Sequence, residues 1–150
     1  SFLESGGDLP KLYRTLIESP EMWLAKQAKF KSPWDWVISS LRALNVRELP
    51  NNRQSANMLA QMGQPIWKPG SPAGFSDMTE NWAGGAALMR RVEIASRIAE
   101  RSANRVDARA LAPRILSTQL GALTAESIAR AESPSQGLAL FLLSPEFLRR

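Results

Sequence analysis

The sequence predicts an all-α fold, an irregular helical bundle of seven to nine helices. Among its 150 residues, Ala and Leu together number 39, whereas Val, Ile and Thr together number 15. This ratio favours helices, because Ala and Leu lose little side-chain entropy in a helix and β-branched residues lose more. Apolar residues recur at helical spacing, and no segment alternates strictly enough to predict a strand. We expect a single helical domain over residues 1–150.

Three helices are predicted in the first half of the chain. Their apolar faces are Leu9, Leu12, Tyr13, Leu16 and Ile17; then Trp34, Val37, Ile38, Leu41 and Leu44; then Met58, Leu59 and Met62. The first helix ends before Pro20, the second near Asn45, and the third at Gly63. Trp34 and Trp36 cannot both face one core, because helical residues two apart point to different sides. One of them is therefore a candidate for a contact surface.

A recurring Ser-Pro dipeptide marks four predicted helix starts. The four are Ser19-Pro20, Ser32-Pro33, Ser133-Pro134 and Ser144-Pro145. Serine caps the free N–H groups of a first turn, and proline suits the first helical position, where its missing N–H costs nothing. Gln136 after Ser133 completes a capping box, and Asp35 after Ser32 forms a shorter relative of one.

The second half is predicted to begin with the longest helix, over about 80–102. The side chains predicted to point inward from it are Leu88, Val92, Ala95 and Ile98. A further helix runs to Leu120 and stops at Gly121, with Pro113 in its first turn. A short helix over 124–132 and the last two Ser-Pro helices close the chain.

Arginine is concentrated in the segment from Leu88 to Arg114, which contains no lysine. Arg97, Arg101 and Arg105 are four residues apart and would share one face of a continuous helix. A solvated face paired with acidic neighbours such as Glu93 is the first interpretation. A site for an anion or a partner protein is the second.

Missing residue types exclude several chemistries within this chain. It contains no Cys and no His, so a Cys/His zinc site, a thiol nucleophile, a Ser-His-Asp triad and an imidazole base are all excluded. No phosphate-binding glycine motif is present, and no carboxylate pair is placed for acid–base work. We predict no catalytic residue, metal site or cofactor.

The distribution of charge and the length of the apolar runs limit the kinds of partner that we expect. The net charge of +5 is spread evenly, with no Lys/Arg run longer than two, so nucleic acid is not expected as a partner. The longest apolar run near the C-terminus covers only 138–143, whereas a membrane span needs about 20 residues. Because the chain begins at Ser1 with no apolar leader, we expect it to be a module of a longer protein.

Residues 63–78 are the one segment that lacks helical periodicity. This loop contains three prolines, three glycines, Trp67 and Phe75. Long irregular segments in compact domains are commonly functional or disordered, and the aromatic content argues against disorder. Two interpretations stay open: a rigid lid in which Trp67, Phe75 and Trp82 close one end of the bundle, or a docking surface or pocket wall. The candidate binding residues are Gln64, Trp67, Pro69, Pro72, Gly74, Phe75, Asp77, Trp82 and Arg90.

The loop also carries a family resemblance. The motif consists of Gln64-Pro65-Ile66-Trp67-Lys68-Pro69, Ser71-Pro72-Ala73-Gly74-Phe75, Asp77, Trp82 and Leu88-Met89-Arg90-Arg91, with Lys31–Val37 and Ser144–Phe147 in support. Over residues 18–150 it resembles the C-terminal part of a bacterial family known as domain of unknown function 1800. The chain departs from the family pattern at Met62, Gly70 and Phe75, all mild changes.

The resemblance implies a longer bacterial parent protein, frequently an exported one, and implies no activity. We therefore expect a non-catalytic helical interaction or structural domain, the C-terminal module of that parent. Its partner would be the remainder of the parent chain or another protein. The alternative is part of an enzyme of unknown reaction, whose site is completed by the missing N-terminal portion.

Overall fold

The computed structural model describes residues 2–23, 27–47 and 51–150. These ranges contain seven α-helices: α1 (Leu9–Glu18), α2 (Pro33–Ala43), α3 (Asn52–Gln61), α4 (Gly85–Ser102), α5 (Ala108–Leu116), α6 (Ala122–Ala129) and α7 (Pro134–Leu142). They also contain three short 3₁₀ helices, at Pro20–Trp23, Thr79–Asn81 and Ser117–Gln119. The all-α prediction is confirmed. In the same ranges the β pairing is an isolated antiparallel bridge between Phe30 and Arg149.

The core lies around α7. The long helix α4 packs along α7, and α5 and α6 pack against α7 as well. Leu138, Phe141 and Leu142 of α7 are fully buried, as is Trp36 of α2. The indole Nε1 of Trp36 donates a hydrogen bond of 2.9 Å to the carbonyl oxygen of Leu142. This bond ties α2 to the end of α7.

The C-terminal residues are held by backbone hydrogen bonds to the segment before α2. Lys29 and Arg150 exchange two bonds, Lys29 N–H to Arg150 O at 3.1 Å and Arg150 N–H to Lys29 O at 2.8 Å. The N–H of Lys31 donates to the carbonyl oxygen of Leu148 at 2.8 Å. The short extended segment 29–31 therefore lies against the end of the chain.

Two of the four Ser-Pro dipeptides begin α-helices as predicted. Ser32 Oγ accepts from the N–H of Asp35 at 3.2 Å, and Ser133 Oγ accepts from the N–H of Gln136 at 3.1 Å. Gln136 does not close the capping box on Ser133, because its Oε1 accepts instead from the N–H of Glu132 at 2.6 Å.

The other two Ser-Pro predictions are wrong in part. Pro20 begins only the 3₁₀ helix Pro20–Trp23, and Ser144 begins a turn that is not an α-helix. In that turn Ser144 Oγ still accepts from the N–H of Phe147 at 3.2 Å. A cap satisfies the first turn, but further turns require an apolar face that packs.

The predicted inward face of α4 is confirmed at Leu88, Ala95 and Ile98 and is wrong at Val92. The helix begins at Gly85 rather than near residue 80, because residues 79–81 form a separate 3₁₀ turn. Its buried side chains are Arg91, Ile94, Ala95 and Ala99. Val92, predicted to point inward, is exposed. Leu88 and Ile98 pack against the edge of the core, as expected.

Two further expectations need correction. Pro113 lies inside α5 rather than in its first turn, because the N-cap is Asp107, whose carboxylate accepts from the N–H of Arg109 at 2.9 Å. Arg105 follows the end of α4 at Ser102, so the three spaced arginines do not share one continuous helix. In α2 the fully buried tryptophan is Trp36, and Trp34 is 47% exposed.

Candidate functional site

The loop 63–78 has the irregular structure that its composition predicts. It contains no helix or strand, and its backbone follows successive turns. The N–H of Lys68 donates to Pro65 O at 3.3 Å, and the N–H of Gly74 donates to Ser71 O at 3.0 Å. Gly74 has a φ of +89°, a conformation that glycine adopts without steric cost.

The C-terminal end of the loop is anchored to the bundle. Trp82 is buried, and its Nε1 donates to the carbonyl oxygen of Ser76 at 2.8 Å. The half-buried ring of Phe75 lies 6.3 Å from the ring of Trp82, centroid to centroid. The carboxylate of Asp77 pairs with Lys29 Nζ at 2.8 Å, and this hydrogen bond and charge lower the pKa of Asp77. Phe75, Asp77 and Trp82 therefore hold the loop in place.

The tip of the loop carries an exposed tryptophan. The side chain of Trp67 is 94% exposed, and its φ of +57° lies in the left-handed region, which is uncommon for a residue other than glycine. Pro69, Pro72 and Gly74 are also exposed. Trp67 therefore takes no part in the rigid lid that the sequence suggested, whereas Trp82 lies in the core and Phe75 packs against it.

Gln64, Asp77 and Arg90 each contact a different partner. Gln64 Oε1 accepts from the backbone N–H of Trp34 at 2.7 Å, which joins the start of the loop to the N-terminus of α2. Asp77 pairs with Lys29, as above, and the guanidinium of Arg90 pairs with Glu93 of its own helix at 3.0 Å. These hydrogen bonds and ion pairs do not link any two of the three residues.

Besides the exposed Trp67 of the loop, residues 2–23 carry an exposed apolar surface. Asp8 caps α1 by accepting from the N–H of Lys11, and the predicted apolar face forms. None of the residues of α1 is buried, however, and Leu9, Tyr13, Leu16 and Ile17 are each at least half exposed. The neighbouring Trp23 is 73% exposed, and its Nε1 donates to Ile17 O at 2.6 Å. We call this surface, formed by α1 and Pro20–Trp23, the α1 face.

A buried arginine, Arg91, packs against the segment before α2, and its burial was not predicted from the sequence. Arg91 is fully buried; its Nη2 donates to Lys31 O at 2.7 Å, and its guanidinium carbon lies 4.9 Å from the ring centre of Phe30 and 5.5 Å from that of Trp36. Its Nε and Nη1 have no hydrogen-bond partner in the described residues. Burial lowers the pKa of Arg91 to about 10. Spacing could have revealed it, because Arg91 lies four residues before the buried Ala95 on the inward stripe.

Lys31 is a second cation with a perturbed environment. Its Nζ donates to Phe147 O at 2.7 Å and lies 4.2 Å from the centre of the Phe147 ring. Burial lowers the pKa of Lys31 to about 8; the neighbouring cations Arg150 and Arg91 act in the same direction, and Asp35 opposes them. In the sequence, Lys31 is marked only by its place in the motif segment Lys31–Val37.

The family assignment follows from a match that covers almost the whole chain. A family model described as "Protein of unknown function (DUF1800)" matches residues 1–149. The chain belongs to this family. The match confirms the resemblance carried by the loop motif and extends it toward the N-terminus, over the α1 face. No curated protein and no solved structure matches the chain.

The helices and the potential metal ligands of this family member were also compared with what a membrane span and a metal site require. Across residues 2–23, 27–47 and 51–150, no helix is both long and apolar enough to cross a membrane. Over the same ranges, no group of three or more potential ligand side chains is placed to hold a metal ion.

Proposed function

We propose that this chain is a non-catalytic helical interaction domain that packs on further protein through the α1 face. The observation that carries the proposal is the exposure of Leu9, Tyr13, Leu16 and Ile17 along one side of a capped helix. Contiguous exposed apolar surface of this kind is typical of protein–protein contact sites. The partner we propose is the remainder of a longer parent protein, as the family resemblance implies.

The energetics favour a covered α1 face. A helix of 10 residues is marginal in water unless its apolar face packs. Burying a Leu, Ile or Tyr-sized apolar side chain contributes about 1.5–3 kcal/mol, so covering the exposed halves of four such residues contributes roughly 3–6 kcal/mol before association costs. That amount is sufficient to hold α1 against a neighbouring surface within the same polypeptide.

The tip of the 63–78 loop supplies a second contact in this proposal. Exposed tryptophan is enriched among the residues that dominate binding energy at interfaces. Trp67 is presented on a loop whose other end is fixed by Trp82 and by the Asp77–Lys29 ion pair, so little further ordering is needed on binding. Pro69 and Pro72 limit the freedom of the same tip.

The test compares Leu16→Asp in two contexts, the 150-residue chain and the full-length product of its gene. In the chain, Leu16 is half exposed, so we expect a small effect on the melting temperature. In the full-length product, a buried unpaired carboxylate would lower the melting temperature by several degrees. Leu123→Asp on α6, where Leu123 is 79% exposed, is the matched control and should have little effect in either context.

The outcomes separate the interaction proposal from its alternatives. An equal, small effect of Leu16→Asp in both contexts contradicts packing through the α1 face. A melting temperature of the 150-residue chain that rises with its own concentration, and loses that dependence in Leu16→Asp, would indicate self-association instead. Trp67→Ala, measured in the same two contexts, tests whether the loop tip contributes to the contact.

A further inference from the structure

A concavity of about 300 Å³ opens beside the C-terminal residues. Its size is at the lower end of the range of roughly 300–1,000 Å³ for small-molecule sites. Its cationic lining residues are Lys31, Arg42 and Arg149, and its apolar wall includes Ile115, Leu116 and Phe147. None of the predicted loop residues lines it.

Three cationic side chains line this concavity, and they outnumber its one acidic lining residue, Glu146. The carboxylate of Glu146 is directed to the start of α6, where Oε1 accepts from the N–H of Gly121 at 3.1 Å and Oε2 accepts from Thr124 Oγ1 at 2.9 Å. Arg149 uses Nη1 to donate to Pro145 O at 3.1 Å, and it forms no ion pair with a described residue. An excess of positive charge around a concavity raises the local concentration of anions, so the concavity favours an anionic ligand.

Two of the cationic side chains in this concavity have hydrogen-bond donors that no described residue uses. Lys31 Nζ has three hydrogens and donates to one carbonyl oxygen in the structure, that of Phe147. The side chain of Arg42, at the end of α2, makes no hydrogen bond or ion pair with any described residue, and it is exposed. Arginine donates in a planar fork that matches the geometry of phosphoryl and carboxylate oxygens.

We propose that this concavity binds a small molecule with an oxyanion head, phosphoryl or carboxylate, and a small apolar body. Arg42 and Lys31 would donate to the oxyanion, and the apolar body would contact Ile115, whose side chain is partly exposed at the wall. The inference is independent of the interaction role of the α1 face, since the two surfaces share no residue.

The probe is phenyl phosphate, titrated into the 150-residue chain by calorimetry at low ionic strength. We expect saturable binding at one site and at least a tenfold weakening in Arg42→Gln, because a charged hydrogen bond is lost. Arg42 is exposed, so this variant should fold normally. Arg101→Gln is the matched control: it makes the same charge change at an exposed position on α4 and should leave the affinity within about twofold.

Additional ligands define the chemistry of the site. Benzoate that binds as well as phenyl phosphate supports a general oxyanion site, and weaker benzoate binding supports a phosphoryl site. Ile115→Ser should weaken phenyl phosphate but not inorganic phosphate. The proposal fails if phenyl phosphate shows no saturable binding, if benzyl alcohol binds equally well, or if Arg42→Gln and Arg101→Gln weaken binding to the same extent.

Discussion

Replacing the buried guanidinium of Arg91 with an apolar side chain of similar length is predicted to leave the free energy of unfolding nearly unchanged. Arg91 is fully buried, with one hydrogen bond to Lys31 O and two aromatic neighbours, Phe30 and Trp36. A buried charge with two nitrogens that lack a partner among the described residues carries a large desolvation cost. Arg91→Met removes that cost together with the favourable contacts, and it keeps most of the side-chain volume.

The opposing contributions are similar in size. The pKa of Arg91, which burial lowers to about 10, corresponds to about 3 kcal/mol against the charged form in the folded state. The charged hydrogen bond contributes about 1.5–3 kcal/mol and the two cation–π contacts about 0.5–2 kcal/mol each. Their loss is offset by removal of the desolvation cost and by about 1.5–3 kcal/mol from burying the apolar Met side chain. We therefore expect Arg91→Met to change the free energy of unfolding by less than about 1.5 kcal/mol. Arg91→Ala should lower it by about 2–5 kcal/mol, because it leaves a cavity.

Urea denaturation at neutral pH, followed by tryptophan fluorescence, measures both variants. Fluorescence is a suitable readout because Trp36 is fully buried beside Arg91. Equal destabilisation by Arg91→Met and Arg91→Ala would refute this balance, since the guanidinium contacts would then outweigh the desolvation cost. It is also refuted if Arg91→Ala is neutral, since burial would then contribute little.

Three further predictions concern single positions. Lys31 has a pKa of about 8 in the folded state and of about 10.4 in the unfolded state, so the unfolded state binds more protons between these two pH values. The free energy of unfolding of the wild type should therefore rise, relative to that of Lys31→Met, as the pH increases from 8 toward about 10. Urea denaturation of both proteins across this pH interval measures the difference. Trp67→Ala should change the free energy of unfolding by less than about 0.5 kcal/mol, whereas Trp82→Ala should lower it by about 3–5 kcal/mol, again in urea. Gly121→Ala should lower the melting temperature, because its Cβ would lie 2.6 Å from Oε1 of Glu146 and displace the carboxylate that caps α6.

Each of these predictions has a control and a contradicting outcome. A falling or flat difference between wild type and Lys31→Met over the same pH interval would contradict the lowered pKa of Lys31. Equal effects at Trp67 and Trp82 would contradict their opposite exposure. Gly137→Ala is the control for Gly121, because its Cβ would meet the nearest atoms at 3.4 Å or more; this replacement should be tolerated or mildly stabilising.

Local signals in the sequence determine the all-α class, several helix starts and the irregular loop. The Ser32 and Ser133 caps form as predicted, and Gly63 follows the end of α3 with a φ of +88°. These features depend on hydrogen bonds and backbone conformations within a few residues, so the chain specifies them before any packing. The position of the loop 63–78 is predictable for the same reason.

Long-range packing decides which side chains of those elements are covered. Trp34 and Trp36 lie two residues apart in the first turn of α2, and the sequence around them does not decide which is buried. Trp36 is buried because it contacts α7, whereas Trp34 is exposed. Arg91 is buried because Lys31, far away in sequence, offers it a carbonyl oxygen. Periodicity defines the apolar side of α1 but not whether a neighbour covers it, because burial is a property of surfaces brought together by the whole fold.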